Sequence, residues 1–307
     1  MPSFSRFHKI AIISLGAFGG GLAYYQLNTK PERKYGVHNS WTTNYNPSVK
    51  WDCNWDHRHP KSIVKPVKTN ATPEEENKYN EEIEKAKSKA VRHIFMIRHG
   101  QYFVDGATDK ERVLTQLGRK QAELTGKRLA LLDIKWDLLV RSTMTRAQET
   151  GTLIAKHLPN DLEVIDCSLI EEGAPIPPEP PVGHWRPEPK QFFQDGARIE
   201  AAFRRYFHRA PPEQDKDTYT LLVCHANVIR FFVCKALQFP PEAWLRISLN
   251  HGSITWVSIM PNGNVVLRSL SDTGFMEPQF ISSRLRLNQP LRLTRDKKIM
   301  KHPSISH

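Results

Sequence analysis

Hydrophobic and polar positions change character along the chain. From Ile10 to Leu27 there are 18 residues without a charge, and from 28 to 71 the chain is polar and without periodicity. From residue 91 onward short apolar runs alternate with helical spacing. The runs Ile94-Phe95-Met96-Ile97, Leu138-Leu139-Val140 and Tyr219 to Cys224 have the length of strands buried on both faces. Between them, Thr115 can cap a helix to about Leu132 with Leu117, Leu124, Leu129 and Leu131 among its apolar positions. Further helices are predicted from Thr145 to Leu158 and from Val228 to Leu237. Short strands at Ser253–Met260 and Val265–Ser269 flank the turn sequence Pro261-Asn262-Gly263-Asn264. Alternating strands and helices predict an α/β fold, a three-layer α/β/α sandwich with a largely parallel central sheet, whose ligands bind beyond the carboxyl ends of the strands.

The pattern divides the chain into a basic amino terminus (1–9), an apolar span (10–27), a linker (28–71), a charged helix (72–90), a catalytic domain (91–283) and a basic tail (284–307). As a helix the apolar span would reach about 27 Å, enough to cross a bilayer. Arg6 and Lys9 precede it, Lys30, Arg33 and Lys34 follow it, and Tyr24 and Tyr25 fall at an interfacial position. Its length and its two basic flanks favour a retained membrane anchor over a cleaved signal or a buried helix. Thr72-Pro73-Glu74-Glu75 is a capping-box start for the charged helix. Within the linker, Trp51-Asp52-Cys53-Asn54-Trp55-Asp56 stands out, because two exposed indoles would leave large apolar areas uncovered. Packing on the chain's own domain and docking on another subunit both satisfy that need. Residues 174–189 hold seven of the 22 prolines, which marks a shaped loop inside the domain.

Composition adds a bias rather than a fold. The 307 residues carry a net charge of +12, which suits anionic partners. Residues 284–307 hold seven Lys/Arg against one Asp but no aromatic side chain, so no nucleic acid is expected as a partner. Cys53, Cys167, Cys224 and Cys234 form no metal-ligand spacing; reduced thiols, no metal and no cofactor are expected.

Chemistry gathers at the ends of two strands. His99 follows Ile97-Arg98, and His225 follows Val223-Cys224, so both lie where a parallel sheet places its site. Neutral imidazole is a nucleophile at physiological pH. A phosphoryl group needs cationic forks around it, and Arg98 and Arg146 can supply them. Arg146 also opens a helix, whose amides favour anions. A proton carrier fits in the loop Ile170-Glu171-Glu172-Gly173, with Glu172 the better candidate and Glu171 the alternative.

Taken in order, Arg98-His99-Gly100, Leu114-Thr115-x-x-Gly118, Ser142-x-x-x-Arg146-Ala147, Glu172-Gly173 and His225-Ala226 resemble the successive motifs of the histidine phosphatase (phosphoglycerate-mutase-like) superfamily over about residues 91–270. Within it, the anchor, the Trp51–Asp56 motif, Asp195 to Phe203, Cys224 to Arg230 and Asp272 to Met276 are similar to a mitochondrial branch of serine/threonine protein phosphatases. That resemblance implies His99 as the phosphorylated nucleophile, Arg98, Arg146 and His225 as phosphate-binding residues and Glu172 as proton donor. It further implies self-assembly into homo-oligomers through Trp51, Asp52, Asn54, Trp55 and Asp56, and phosphoserine or phosphothreonine proteins as substrates. A stress-kinase partner, a single-pass anchor in a mitochondrial membrane (the outer one favoured) and a role in mitochondrial dynamics, mitophagy or stress and cell-death signalling follow from the same likeness.

Two other readings stay open: a phosphoglycerate mutase or small-molecule phosphatase, and a non-catalytic membrane scaffold that binds phosphoproteins. The anchor and the motif-bearing linker weigh against the first, and five filled reactive positions weigh against the second.

Overall fold

A computed structural model describes residues 47–182 and 186–283; the apolar span at 10–27 and the basic tail at 284–307 lie outside the described residues. Among the described residues no helix is long and apolar enough to cross a membrane. The chain divides into two units, one ending at Cys53 and one beginning at Asn54. The described part of the first, 47–53, has neither helix nor strand, so Trp51 and Asp52 sit on irregular backbone.

The second unit is built, among the described residues, on six strands: β1 (Arg92–Arg98), β2 (Leu138–Ser142), β3 (Glu163–Cys167), β4 (Thr218–Cys224), β5 (Ile254–Ile259) and β6 (Val265–Asp272). Their order in the sheet is β3-β2-β4-β1-β5-β6. The pairs β3/β2, β2/β4 and β4/β1 are parallel, whereas β5 runs antiparallel to β1 and β6 antiparallel to β5. The sheet is therefore mixed: a parallel half with an antiparallel hairpin added at one side. That hairpin turns at Gly263, which has φ +88°. There the Met260 amide donates to the Asn264 carbonyl at 2.8 Å.

Six helices among the described residues accompany the strands: α1 (Pro60–Ile63), α2 (Pro73–Lys85), α3 (Gln116–Ala130), α4 (Thr145–Ala155), α5 (Pro189–Tyr206) and α6 (Ala226–Ala236). At α2 the capping box forms, with the Thr72 hydroxyl accepting from the Glu75 amide and the Glu75 carboxylate accepting from the Thr72 amide. The Thr115 hydroxyl caps α3 by accepting from the Gly118 amide at 3.0 Å.

The central strands β1 and β4 are apolar on both faces because each face is covered. Along β1, Ile94 and Met96 enter one core with Phe203 of α5 and Phe232 of α6, while Phe95 and Ile97 enter a second core with Leu129 of α3 and Ile154 of α4. In β4 the same alternation sends Leu222 and Cys224 to the first core and Leu221 and Val223 to the second. Each such side chain, fully removed from water, contributes roughly 1.5–3 kcal/mol before the entropy of ordering is counted.

Residues 54–63, inside the stretch expected as linker, are fastened to this unit. Trp55 donates its indole N–H to the Gly263 carbonyl at 2.8 Å and lays its ring 5.9 Å from that of Phe203. The Asp56 side chain is buried against the equally buried Arg209. Its two oxygens accept from the Arg209 amide at 2.9 Å, from Nε at 2.9 Å and from Nη2 at 2.7 Å. Gly263 serves this contact too, since a Cβ there would stand 2.7 Å from Arg209 Nη2.

Burial pushes the Asp56 carboxyl up, but the bonds from Arg209 outweigh it and hold the group below its ordinary value. Asp56→Ala removes one partner of a buried pair and should cost about 3–5 kcal/mol of unfolding free energy by denaturant titration. A depressed carboxylate stabilises fully above the unfolded pKa of about 3.9 and loses that contribution as pH falls through the folded value. The gap between wild type and variant should therefore narrow as the medium becomes acidic; a gap that stays constant down to strongly acidic pH would contradict the ion pair.

Candidate active site

The loop leaving β1 carries His99, whose amide donates to the Cys224 carbonyl at the end of β4. Adjacent parallel strands thus bring the two histidines of the sequence together, and the His99 and His225 rings lie 5.1 Å apart between centroids. Gly100 and Gly118 explain their own presence. A Cβ on Gly100 would meet the Gly118 carbonyl oxygen at 2.4 Å, and one on Gly118 would meet the Gln101 oxygen at 1.9 Å. Two motif glycines let the β1 loop press on the first turn of α3.

The orientation of His99 is set by a backbone carbonyl. Its Nδ1 lies 2.8 Å from the Gly100 oxygen, and since a carbonyl only accepts, Nδ1 carries the hydrogen. The lone pair is then on Nε2, on the other side of the ring. Burial, followed by the nearby His225 and the arginines 146 and 98, pushes the His99 pKa well below its ordinary value. The imidazole is therefore neutral at physiological pH.

His225 shows the complementary arrangement. Its Nε2 is 2.8 Å from the Ser142 hydroxyl at the end of β2, while its buried Nδ1 has no hydrogen-bond partner among the described residues. With Ser142 donating, Nδ1–H becomes a donor held ready for an acceptor. Burial, with Arg146 and Arg98, lowers the His225 pKa strongly as well.

Arg98 and Arg146 complete the cluster. Arg98 Nη1 donates to the carbonyls of Leu249 at 2.7 Å and Ser283 at 2.9 Å. Arg146, buried in the first turn of α4, donates Nη1 to Asp109 Oδ1 at 3.3 Å. The other oxygen of Asp109 accepts from the Thr145 amide at 2.8 Å and its hydroxyl at 2.9 Å, so one carboxylate both caps α4 and steers Arg146. In both arginines Nε is buried without a partner among the described residues. Three unpaired buried donors around one histidine form a cradle suited to an oxyanion with several acceptor oxygens.

The carboxylates of the following loop separate. Glu171 takes its hydrogen bond from the Thr143 hydroxyl. Glu172 Oε1 accepts from the Asn227 amide at the start of α6 at 3.2 Å and from the Gly173 amide at 3.3 Å. Burial raises the Glu172 pKa, against the opposing pull of Arg146 and Arg98. A carboxyl beside two guanidiniums that still binds its proton more tightly than usual keeps a proton that an ordinary carboxyl would have lost, which suits it to act as an acid.

The structure thus brings His99, Arg98, Arg146, His225 and Glu172 into one cluster. Asn54, Trp55 and Asp56 are not part of it, and Trp51 and Asp52 belong to the first unit. Several members had no legible sequence signal. His251, buried with its ring 5.7 Å from that of His99, has its pKa lowered to about 3 by burial and by Arg98. Tyr102 stands edge-on to His99 at 5.0 Å and carries the Arg146 guanidinium 4.7 Å from its ring centroid. Asp109 and Ser142 act through Arg146 and His225. Among the described residues, no group of three or more His, Cys, Asp or Glu is placed to hold a metal ion.

Known proteins place this geometry in a family. Residues 94–173 and 178–272 match the model of the histidine phosphatase superfamily, branch 1. A protein of Drosophila yakuba named Serine/threonine-protein phosphatase Pgam5, mitochondrial, is 56% identical over 271 residues, covering 87% of this chain and 93% of its own. Its namesake in Drosophila pseudoobscura pseudoobscura is 57% identical over the same shares. Among solved structures, a phosphoglycerate mutase of Plasmodium falciparum is similar at 33% identity and a TM-score of 0.43, covering 59% of this chain and 91% of that one. With its family model spanning most of the sheet and relatives of this identity along nearly their whole length, the chain belongs to the histidine phosphatase superfamily.

Proposed function

We propose that the protein is a serine/threonine protein phosphatase that works through a phosphohistidine on His99. The observation that carries the reading is one lone pair set among buried donors: His99 offers a lone pair at Nε2, while His225 Nδ1, Arg98 Nε and Arg146 Nε are buried donors without partners among the described residues. The names of relatives 56–57% identical supply the substrate class and the mitochondrial placement.

The steps follow from those roles. The phosphoserine or phosphothreonine phosphoryl group sits among Arg98, Arg146 and His225, which bind its oxygens more tightly as charge moves onto them. His99 Nε2 forms a bond to phosphorus while the bond to the serine or threonine oxygen breaks, and Glu172 gives that oxygen its proton. Water then attacks the phosphohistidine and passes its proton to the Glu172 carboxylate. Inorganic phosphate leaves, and both residues return to their starting forms. The dianionic substrate raises the Glu172 pKa further, which favours the acid form in the first step.

The reading also includes a membrane anchor at 10–27 and assembly through Trp51, Asp52, Asn54, Trp55 and Asp56. Trp55 and Asp56 are seated on their own domain at Phe203 and Arg209. Assembly by this segment then means exchange of that seat between chains.

His99→Ala should abolish an acid-labile, base-stable phosphoenzyme in rapid-quench labelling and lower turnover by roughly 10³-fold or more. Labelled intermediate in the variant would remove His99 from the role. Turnover of a phosphoserine peptide and of 3-phosphoglycerate, measured side by side, should favour the peptide; the reverse preference would establish the small-metabolite reading.

The acid form of Glu172 is lost as pH rises through its elevated pKa. Phosphopeptide kcat/KM should accordingly fall on the alkaline side, and Glu172→Gln should remove that limb. A limb unchanged in the variant would belong to another group. For assembly, Trp51→Ala in the full chain should lower the mass seen by light scattering, and an unchanged mass would exclude that residue from the contact.

A further inference from the structure

The acid loop is held by a clamp that the mechanism above does not use. The 3-10 turn Ser168–Ile170 follows β3 and leads directly into Glu171 and Glu172. From α5, Arg198 reaches across to the carbonyls of this turn and loop. Its Nη1 donates to Glu171 O at 2.7 Å, to Leu169 O at 3.1 Å and, more distantly, to Ser168 O at 3.4 Å. Its Nη2 donates to Glu172 O at 3.1 Å and to Asp195 Oδ1 at 3.1 Å. The second oxygen of Asp195 accepts from the Ala174 amide at 2.9 Å. One ion pair, one turn apart on a helix, thus grips the backbone on both sides of Glu172.

We propose that Arg198 and Asp195 are positioning residues that fix the Glu172 carboxyl at the distance from the leaving oxygen that proton transfer requires, an inference that rests on Glu172 being the proton carrier.

The geometry gives the clamp a reason. The Glu172 carboxylate is held from the opposite side by α6, where the Asn227 amide donates to Oε1, and Asn227 Nδ2 donates to the Gly173 carbonyl at 3.0 Å. Backbone fixed by α5 and carboxylate fixed by α6 leave the side chain little freedom in a loop that otherwise lacks regular structure. Gly173 is required by the same contact, because a Cβ there would stand 2.6 Å from Asp195 Cγ and 2.7 Å from Arg198 Nη2. A guanidinium presents several donors in one plane and can hold several carbonyls together, which the single ammonium of lysine does not reproduce. The hydrogen bonds of Arg198 and Asp195 run to the loop backbone and to each other, which gives them a route to Glu172 through the loop, and the Arg198 charge also bears on His225, whose pKa it helps to lower.

The test separates positioning from general support of the fold by varying the leaving group. Phosphorylation of His99 is compared through kcat/KM, which excludes the later hydrolysis step common to all substrates. A phosphoserine peptide has a poor leaving group that depends on the acid, and p-nitrophenyl phosphate has a good one that does not. In the full chain, Arg198→Ala should lower kcat/KM for the peptide by roughly 10²-fold, the loss that a displacement of about 1 Å at a catalytic group produces. The same variant should change the p-nitrophenyl phosphate value little. Arg198→Lys should recover part of the loss, and Asp195→Asn should show the same selectivity at smaller size. Asp195→Asn carries the test if Arg198→Ala does not fold, as judged by circular dichroism. Equal losses on both substrates, or no loss, would overturn the clamp. Glu172→Gln in the same assay distinguishes the failures. If it is selective and the Arg198 and Asp195 variants are not, the clamp alone is wrong. If Glu172→Gln is itself unselective, the assignment of Glu172 fails and the inference falls with it.

Discussion

At the carboxyl ends of β1 and β4, two guanidinium groups and three imidazoles are withdrawn from water into a small volume. Arg98, Arg146, His99, His225 and His251 would repel one another there if all were charged, and desolvation penalises each charge separately. The conflict is resolved by dividing the roles: the arginines stay cationic, and the imidazoles stay neutral. Each neutral ring then needs a defined tautomer, and the surroundings supply it through the Gly100 carbonyl, the Ser142 hydroxyl and the Ser282 hydroxyl. The proposed attack of His99 on phosphorus depends on the same constraint, since only a neutral imidazole has the lone pair it needs.

The arginines depend on acceptors that leave their charge largely uncompensated. Arg98 rests on the neutral carbonyls of Leu249 and Ser283 and so keeps its attraction for an anion. Arg146 touches Asp109, but that carboxylate is shared with the first turn of α4. An excess of positive charge therefore persists in the cradle, and a phosphoryl dianion offsets it more fully than the side chains around it. Glu172 stands at the border of this field, where burial raises its pKa and the arginines pull it down.

Distant parts of the fold serve the same end. The glycines at 100 and 118 allow the β1 loop to approach α3, and the Thr150 hydroxyl accepts from the Gly100 amide at 3.0 Å. The carboxyl-terminal end of the described chain returns to the site, where Gln121 donates to the Phe280 carbonyl and His251 donates its amide to the Ser282 carbonyl. Hydrogen bonds from segments remote in sequence orient His225 and His251, whereas His99 is oriented by the carbonyl of its neighbour Gly100.

The amino-acid pattern alone determined the alternation of strands and helices, the turn at Gly263 and the placement of His99 and His225 at strand ends. These are local properties: periodicity, capping and turn chemistry act over a few residues. It also separated the apolar run at 10–27 from the rest of the chain. Its limits are as physical as its successes. Strand β3 is an edge strand with exposed positions, so Glu163–Cys167 lacks the apolar run that marks β2 and β4. Helix α5 begins within the proline-rich stretch, which hides its start. The contact of the Glu172 carboxylate with the Asn227 amide at the start of α6 joins separate elements, and the pairing of Asp56 with Arg209 spans 153 positions. Roles for Asp109, Ser142, Arg198 and His251 likewise arise only when separate elements meet, because a polar side chain takes its function from the partner it reaches, and only the folded chain decides which partner that is.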